Sequence, residues 1–161
     1  MKNILVAVDF SKNTDEVMAQ AAALGKGLGA KLWIVHVTST ALQAAYESTQ
    51  LYDFAPEFIS AAGGDVELAR DLCAEEYKRE HQSLLNLSGK MREAGVDAQA
   101  MLLKGDAAAL ILEKAEDLDI DIIVMGSHGH GLLRKVLLGS VSEAVIRKAF
   151  CSVLIVPPPA E

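Results

Sequence analysis

Basic residues are in short supply in this chain. Lys and Arg together number 15 against 22 Asp and Glu, a net charge of −7 over 161 residues. A protein that grips nucleic acid through its phosphate backbone needs a basic surface, so nucleic acid is not an expected partner. Cysteine is also sparse: Cys73 and Cys151 stand far apart with no Cys-x-x-Cys pair, which suggests neither a disulfide framework nor a zinc site and leaves buried free thiols as the expectation. No apolar run approaches the roughly 18 to 20 residues that cross a bilayer, and no long basic amphipathic helix is present, so no membrane contact is expected. The apolar run Ile4 to Val8 ends at Asp9, short of the roughly 7 to 15 residues of a signal-peptide core, and a cytoplasmic protein is the expectation. What the chain does have is 51% hydrophobic residues and 23% charged, enough to build a core and too apolar for disorder. No repeat, low-complexity tract or Pro/Gly/Ser-rich linker divides it, so residues 1–161 are expected to form one domain.

The apolar pattern alternates between two kinds of segment. Asn3 to Asp9, ending in an acidic residue, and Lys31 to Val37 are short, β-branched runs of the kind buried on both faces of a sheet. Between them, Val17, Ala21, Leu24 and Leu28 recur at helical spacing, with cap candidates from Ser11 to Asp15 and with Gly25, Gly27 and Gly29 closing the segment. The order β-α-β calls for parallel strands and a right-handed crossover. Residues 38–64 suggest a long loop interrupted by Pro56. Asp65 to Glu93 then carries a broad apolar stripe stopped by Gly95, a long amphipathic helix. Ala98 to Leu103 and Ile120 to Met125 predict two more strands, with a helix capped by Asp106 between them. Ser140 to Ala149 predicts the last helix and Ser152 to Val156 the last strand. Five strands alternating with four main helices make a doubly wound, open α/β sheet with helices on both faces.

In such sheets ligands settle beyond the carboxyl ends of the strands. There the chain reads Gly126-Ser-His-Gly129-His-Gly-Leu-Leu-Arg-Lys-Val-Leu-Leu-Gly139-Ser140-Val-Ser142, a glycine-rich stretch feeding a helix that opens with hydroxyl residues. Phosphate oxygens need several converging N–H groups. A helix N-terminus offers unpaired donors and the positive end of the dipole, and glycine removes the Cβ that would bar close approach. Arg134, Lys135, Arg147 and Lys148 face only Glu143 within this segment, a local positive region that would steer an anion on an otherwise acidic protein. Ser140-x-x-Glu143 also has the form of a capping box, a purely structural use that is compatible with a hydroxyl donating to phosphate. Leu132-Leu133 stand where a P-loop would have Lys-Ser/Thr, and no Gly-x-Gly-x-x-Gly follows the first strand. His128 and His130 lack a third ligand for a metal site; solvated loop histidines are the plain reading, and donors beside phosphate the functional one.

The spacing Gly126, two residues, Gly129, nine residues, Gly139-Ser140 resembles the nucleotide-binding signature of the universal stress protein family. The similarity extends along the chain through Val8-Asp-Phe-Ser11, His36-Val37, Gly105-Asp106, Asp121-Ile-Ile-Val-Met-Gly126 and the terminal Val153-Leu-Ile-Val-Pro157. This resemblance implies strand order 3-2-1-4-5 and adenine-nucleotide binding: ATP, or ADP or AMP, with Mg²⁺ able to accompany the phosphates through their own oxygens and water. It places Asp9 at the adenosine end and Val37 at the adenine edge, with Ala7 and Met125 bordering the site, where both also make sense as packing. It lines ribose and phosphates with Gly126, Ser127, His128, Gly129, Gly139, Ser140, Val141 and Ser142. It further implies an antiparallel homodimer through Val153, Leu154, Ile155 and Val156, an apolar edge strand without the charges that usually guard one.

The expectation is a regulatory, stress-response protein whose bound nucleotide orders the loop between Gly126 and Gly139 and so changes what an unidentified protein partner meets. Asp9 is the one acid expected near the mouth, which allows at most slow hydrolysis. The alternative is a nucleotide-dependent enzyme, adenylating or ATP-hydrolysing, on a related nucleotide-binding α/β fold. A receiver-type signalling domain would need paired acids after the first strand and a lysine after the fifth, where Pro157 stands.

Overall fold

The computed structural model describes residues 2–38, 60, 63, 65–127 and 138–158. The chain alternates β1 (Asn3–Ala7), α1 (Thr14–Leu28), β2 (Lys31–Thr38), α2 (Val66–Glu93), β3 (Ala98–Lys104), α3 (Ala107–Asp117), β4 (Ile122–Gly126), α4 (Ser140–Lys148) and β5 (Ser152–Val156). All four strand pairs are parallel and the order is β3-β2-β1-β4-β5, as the family resemblance implies. Most of the stretch expected to be a long loop, residues 38–64, lies outside the described residues.

The sheet has a core on each face because its strands are apolar at both parities. Ile4, Val6, Leu32, Ile34 and Val124 meet Val17, Met18 and Ala21 of α1 and Leu84 of α2 on one side. Leu5, Val35, Ile123 and Met125 meet Ile111 and Ala115 of α3 and Val145 of α4 on the other. Asp65 and Asp106 cap α2 and α3 as their positions suggest: Asp65 accepts from Glu67 N and Leu68 N, Asp106 from Ala109 N at 2.8 Å.

Three sequence expectations shift for local reasons. Strand β1 ends at Ala7 rather than running to Asp9, and Asn13, within the expected cap range, is the N-cap of α1, because the Ser11 N–H is taken by Asp9 Oδ1 at 3.0 Å and Phe10 adopts φ +57°, which holds the chain in a turn. Gly25 and Gly27 lie inside α1, and Gly29, at φ +60°, is the residue that ends it. Gly25 is there for packing: a Cβ would stand 2.9 Å from Val96 Cγ1 and 3.2 Å from Leu32 Cδ2. Cys151 is half-buried rather than buried, and burial raises its thiol pKa.

Candidate functional site

At the carboxyl end of the sheet, β1 stops early. Its register with β2 ends at Ala7 opposite Val35, and the last ladder bond runs from Val8 N to Val35 O at 2.9 Å. Backbone groups alternate sides along a strand, so Val37, two residues beyond Val35, presents its N–H and C=O on the same edge of β2, past the end of the ladder. The mouth of the sheet is thereby lined by the Val37 backbone, by the Asp9 turn and by the end of β4. Ala7 ends β1 opposite Met125 of β4. Both belong to the core on the α3/α4 face, Met125 buried and Ala7 partly so, as does the partly buried Val37 side chain.

The segment after β4 is closed by three bonds. Ser127 N donates to Val156 O at 2.9 Å, Gly139 N donates to Ser127 O at 2.7 Å, and Ser142 Oγ donates to Gly126 O at 2.8 Å. These bonds bring Gly126, Ser127, Gly139 and Ser142 together and pin both ends of the glycine-rich segment to the sheet. His128 and Gly129 of the expected site, with Arg134 and Lys135, lie outside the described residues.

The capping box is not formed. Gly139 is the N-cap of α4, with φ −72° and ψ 159° and no side-chain cap bond, and Ser140 is already the first helical residue. Glu143 turns instead to Arg147, one turn on, with Oε1 2.7 Å from Nη2, so part of the local positive surplus is paired. The reason is tertiary. Ser142 is buried and spends its hydroxyl on the Gly126 carbonyl, a bond between distant segments that sets where the helix starts. Ser140 remains exposed at the helix mouth. The first intrahelical bond is Glu143 N to Gly139 O at 2.9 Å, so the amides of Ser140, Val141 and Ser142 precede the helix ladder and lie at its positive end. The Gly139 amide, expected among the phosphate donors, is already committed to Ser127 O.

A phosphate fits this donor set: three leading amides, the exposed Ser140 hydroxyl and no acidic side chain among residues 138–142. A metal fits less well as a protein-held centre. Among the described residues, no three His, Cys, Asp or Glu side chains converge, so a divalent ion would be held chiefly by phosphate oxygens and water.

Sequence reasoning missed His36. It continues the row Leu32, Ile34 toward α2 and is buried at 7% exposure. Its Nδ1–H donates to Val8 O at 2.8 Å, Nε2 lies 3.5 Å from Glu80 Oε1 of α2, and the Phe10 ring sits 4.5 Å away, tilted by 51°. Burial works against charge on His36, but the Glu80 carboxylate and the Val8 carbonyl, with Asp9 adding to the field, outweigh it and raise its pKa above 6.5. Burial likewise opposes the charge on Glu80, and His36 together with the Thr38 side chain outweighs it, holding the carboxyl below its ordinary value. The available sequence signal was a histidine on the buried parity of an otherwise apolar strand.

Among the described residues no helix is long and apolar enough to cross a membrane. The family model described as the universal stress protein family matches residues 1–157. The chain is 36% identical over 160 residues to universal stress protein A homolog 2 of Coxiella burnetii, covering 96% of this chain and 94% of that one. Among solved structures, that of hypothetical protein MJ0577 superposes with a TM-score of 0.74 at 26% identity, covering 99% and 98% of the two chains. A universal stress protein in complex with cAMP shares the fold at a TM-score of 0.64 and 20% identity, covering 98% of each chain. On the family match and the extent of this similarity, the chain belongs to the universal stress protein family.

Proposed function

We propose that the chain is an adenine-nucleotide-binding regulatory protein of the stress response. In this reading the base lies against the Val37 backbone, the ribose lies near Asp9 and Gly126, and the phosphates of ATP, ADP or AMP rest on the first turn of α4. The observation that carries the reading is the meeting, at one end of the sheet, of an early-ending β1 with a helix N-terminus whose leading amides stand outside any ladder. The Gly126, Gly129, Gly139-Ser140 spacing supports it, as does the capacity of the fold to hold an adenine nucleotide in the cAMP complex. Gly129, His128 and Ser127 belong to the phosphate-facing segment in this proposal, and Mg²⁺ rides on the phosphates. Asp9 as the sole acid assigned to the site fits binding, with slow hydrolysis at most.

The active form in this proposal is a homodimer in the cytoplasm. Ser152 N bonds to Asp121 O and Val156 O accepts from Ser127 N, both on the β4 side, so by alternation Val153 and Ile155 turn their N–H and C=O outward from the sheet edge. A second copy of β5 would satisfy them.

Calorimetric titration with ATP, ADP, AMP and GTP, with and without Mg²⁺, tests the proposal. The expected result is one adenine nucleotide per chain in preference to GTP. At a hundredfold excess over its dissociation constant the nucleotide adds about 2.7 kcal/mol to stability. Absence of heat and of stabilisation with millimolar adenylates rejects it.

A further inference from the structure

We infer that His36 is a positioning residue for the nucleotide site: its imidazole takes the Val8 carbonyl out of the β1–β2 ladder and so leaves the Val37 N–H turned toward the adenine edge. The inference rests on the proposed adenine site and adds to it the residue that shapes it.

In a parallel pair, a residue that donates to one partner residue accepts from the residue two further along. Val8 N donates to Val35 O, so the next bond would run from Val37 N to Val8 O. The register instead ends at Ala7 opposite Val35, and Val8 O receives the His36 Nδ1–H at 2.8 Å. A side chain from the strand itself has replaced the backbone donor. Without that replacement β1 and β2 would zip one bond further and the Val37 N–H would be consumed.

Three features hold the imidazole to this task. Nδ1 faces a carbonyl, which cannot donate, so Nδ1 must carry a proton. Nε2 faces the Glu80 carboxylate at 3.5 Å, which favours a proton there as well, and the doubly protonated ring is the form that satisfies both neighbours. Phe10 sits at φ +57°, a conformation disfavoured for a non-glycine residue, and its ring lies against the imidazole at 4.5 Å. The strained turn that carries Asp9 is thus seated on His36. Among the described residues, the charged groups acting on His36 are Glu80 from α2 and Asp9 beyond β1. Lys104 ends β3 in register with Thr38, two residues further along β2.

The test reads the diverted bond directly, by through-hydrogen-bond scalar coupling between Val37 N and the Val8 carbonyl carbon and by Val37 amide exchange in the nucleotide-free protein. In the native chain the coupling is expected to be absent. In His36→Leu it is expected to appear, with Val37 exchange slowed at least tenfold and ADP affinity reduced at least tenfold. His36→Asn places an amide donor where Nδ1 stood and is expected to keep the coupling absent and ADP affinity within about threefold of native. It also serves if the leucine variant does not fold. Glu80→Gln is expected to shift the loss of the Nε2 proton to lower pH, read from the imidazole nitrogen shifts across a pH series. A Val37–Val8 coupling in the native protein, or a leucine variant that folds and leaves coupling and ADP affinity unchanged, overturns the inference. If the native chain binds no adenylate, the nucleotide reading fails, while the coupling still decides whether His36 diverts the ladder.

Discussion

Replacing Ser142 with Ala removes the bond that ties the first turn of α4 to the end of β4. Ser142 is 3% exposed and its Oγ lies 2.8 Å from Gly126 O, so water cannot readily take the hydroxyl's place. Losing such a bond costs about 0.5–1.5 kcal/mol, and leaving a buried carbonyl unsatisfied costs about 1–3 kcal/mol. Gly126 is only half-buried, which favours the lower part of that range, and the better helix propensity of Ala returns about 0.5 kcal/mol. The expected net loss is about 1 kcal/mol, or roughly 2–4 °C in Tm for a chain of this size. Ser140→Ala is the matched control: Ser140 is exposed and makes no cap bond, so its change should stay within about 0.5 kcal/mol. Urea denaturation followed by the fluorescence of Trp33, the single tryptophan, measures both, at one protein concentration so that any self-association cancels. A loss of about 1 kcal/mol or more in Ser140→Ala beside a neutral Ser142→Ala would restore the capping box and refute the assignment of Gly139 as the N-cap.

The His36–Glu80 pair makes stability depend on pH. His36, raised above 6.5, contributes stability that is complete below that value and fades as pH rises through its folded-state pKa; Glu80, lowered from 4.5, contributes stability that is complete above that value and is lost as pH falls through its folded-state pKa. Glu80→Gln should therefore destabilise most near pH 5–6 and progressively less toward pH 9; denaturation midpoints that differ from native by the same amount at both ends contradict this. Gly25→Ala pushes a Cβ to 2.9 Å from Val96 Cγ1 and should cost about 1–3 kcal/mol, whereas Gly27→Ala meets nothing within 4 Å and should stabilise by about 0.5–1 kcal/mol; thermal melts of the two variants should move in opposite directions. Ile155→Pro removes an outward N–H of β5 without touching its bonds to β4, and light scattering should show the proposed dimer becoming a monomer. A dimer of unchanged affinity would place the interface elsewhere.

The architecture was readable from the sequence because the strands are short β-branched runs buried on both faces and two helices announce themselves with Asp65 and Asp106. The end of β1 was not, since Asp9 takes the Ser11 amide and Phe10 turns the chain, both effects of backbone geometry that composition does not record. The Ser140-x-x-Glu143 pattern pointed to the wrong cap because the deciding bond joins Ser142 to Gly126, sixteen residues away. Of the candidate site, Asp9, Val37, Gly126 and the α4 N-terminus gather at one end of the sheet. The role of His36 was hidden because its partners, Val8 and Glu80, are distant in sequence and come together only through strand pairing and the packing of α2.

The central claim is that the mouth formed by Val37, Asp9 and the first turn of α4 receives an adenine nucleotide. Backbone amide shifts of isotope-labelled protein, recorded as ADP is added, test it most directly. Saturating changes are expected to concentrate at Asp9, Val37, Ser140, Val141 and Ser142. Saturating changes confined to other parts of the chain, or none at millimolar ADP, would contradict it.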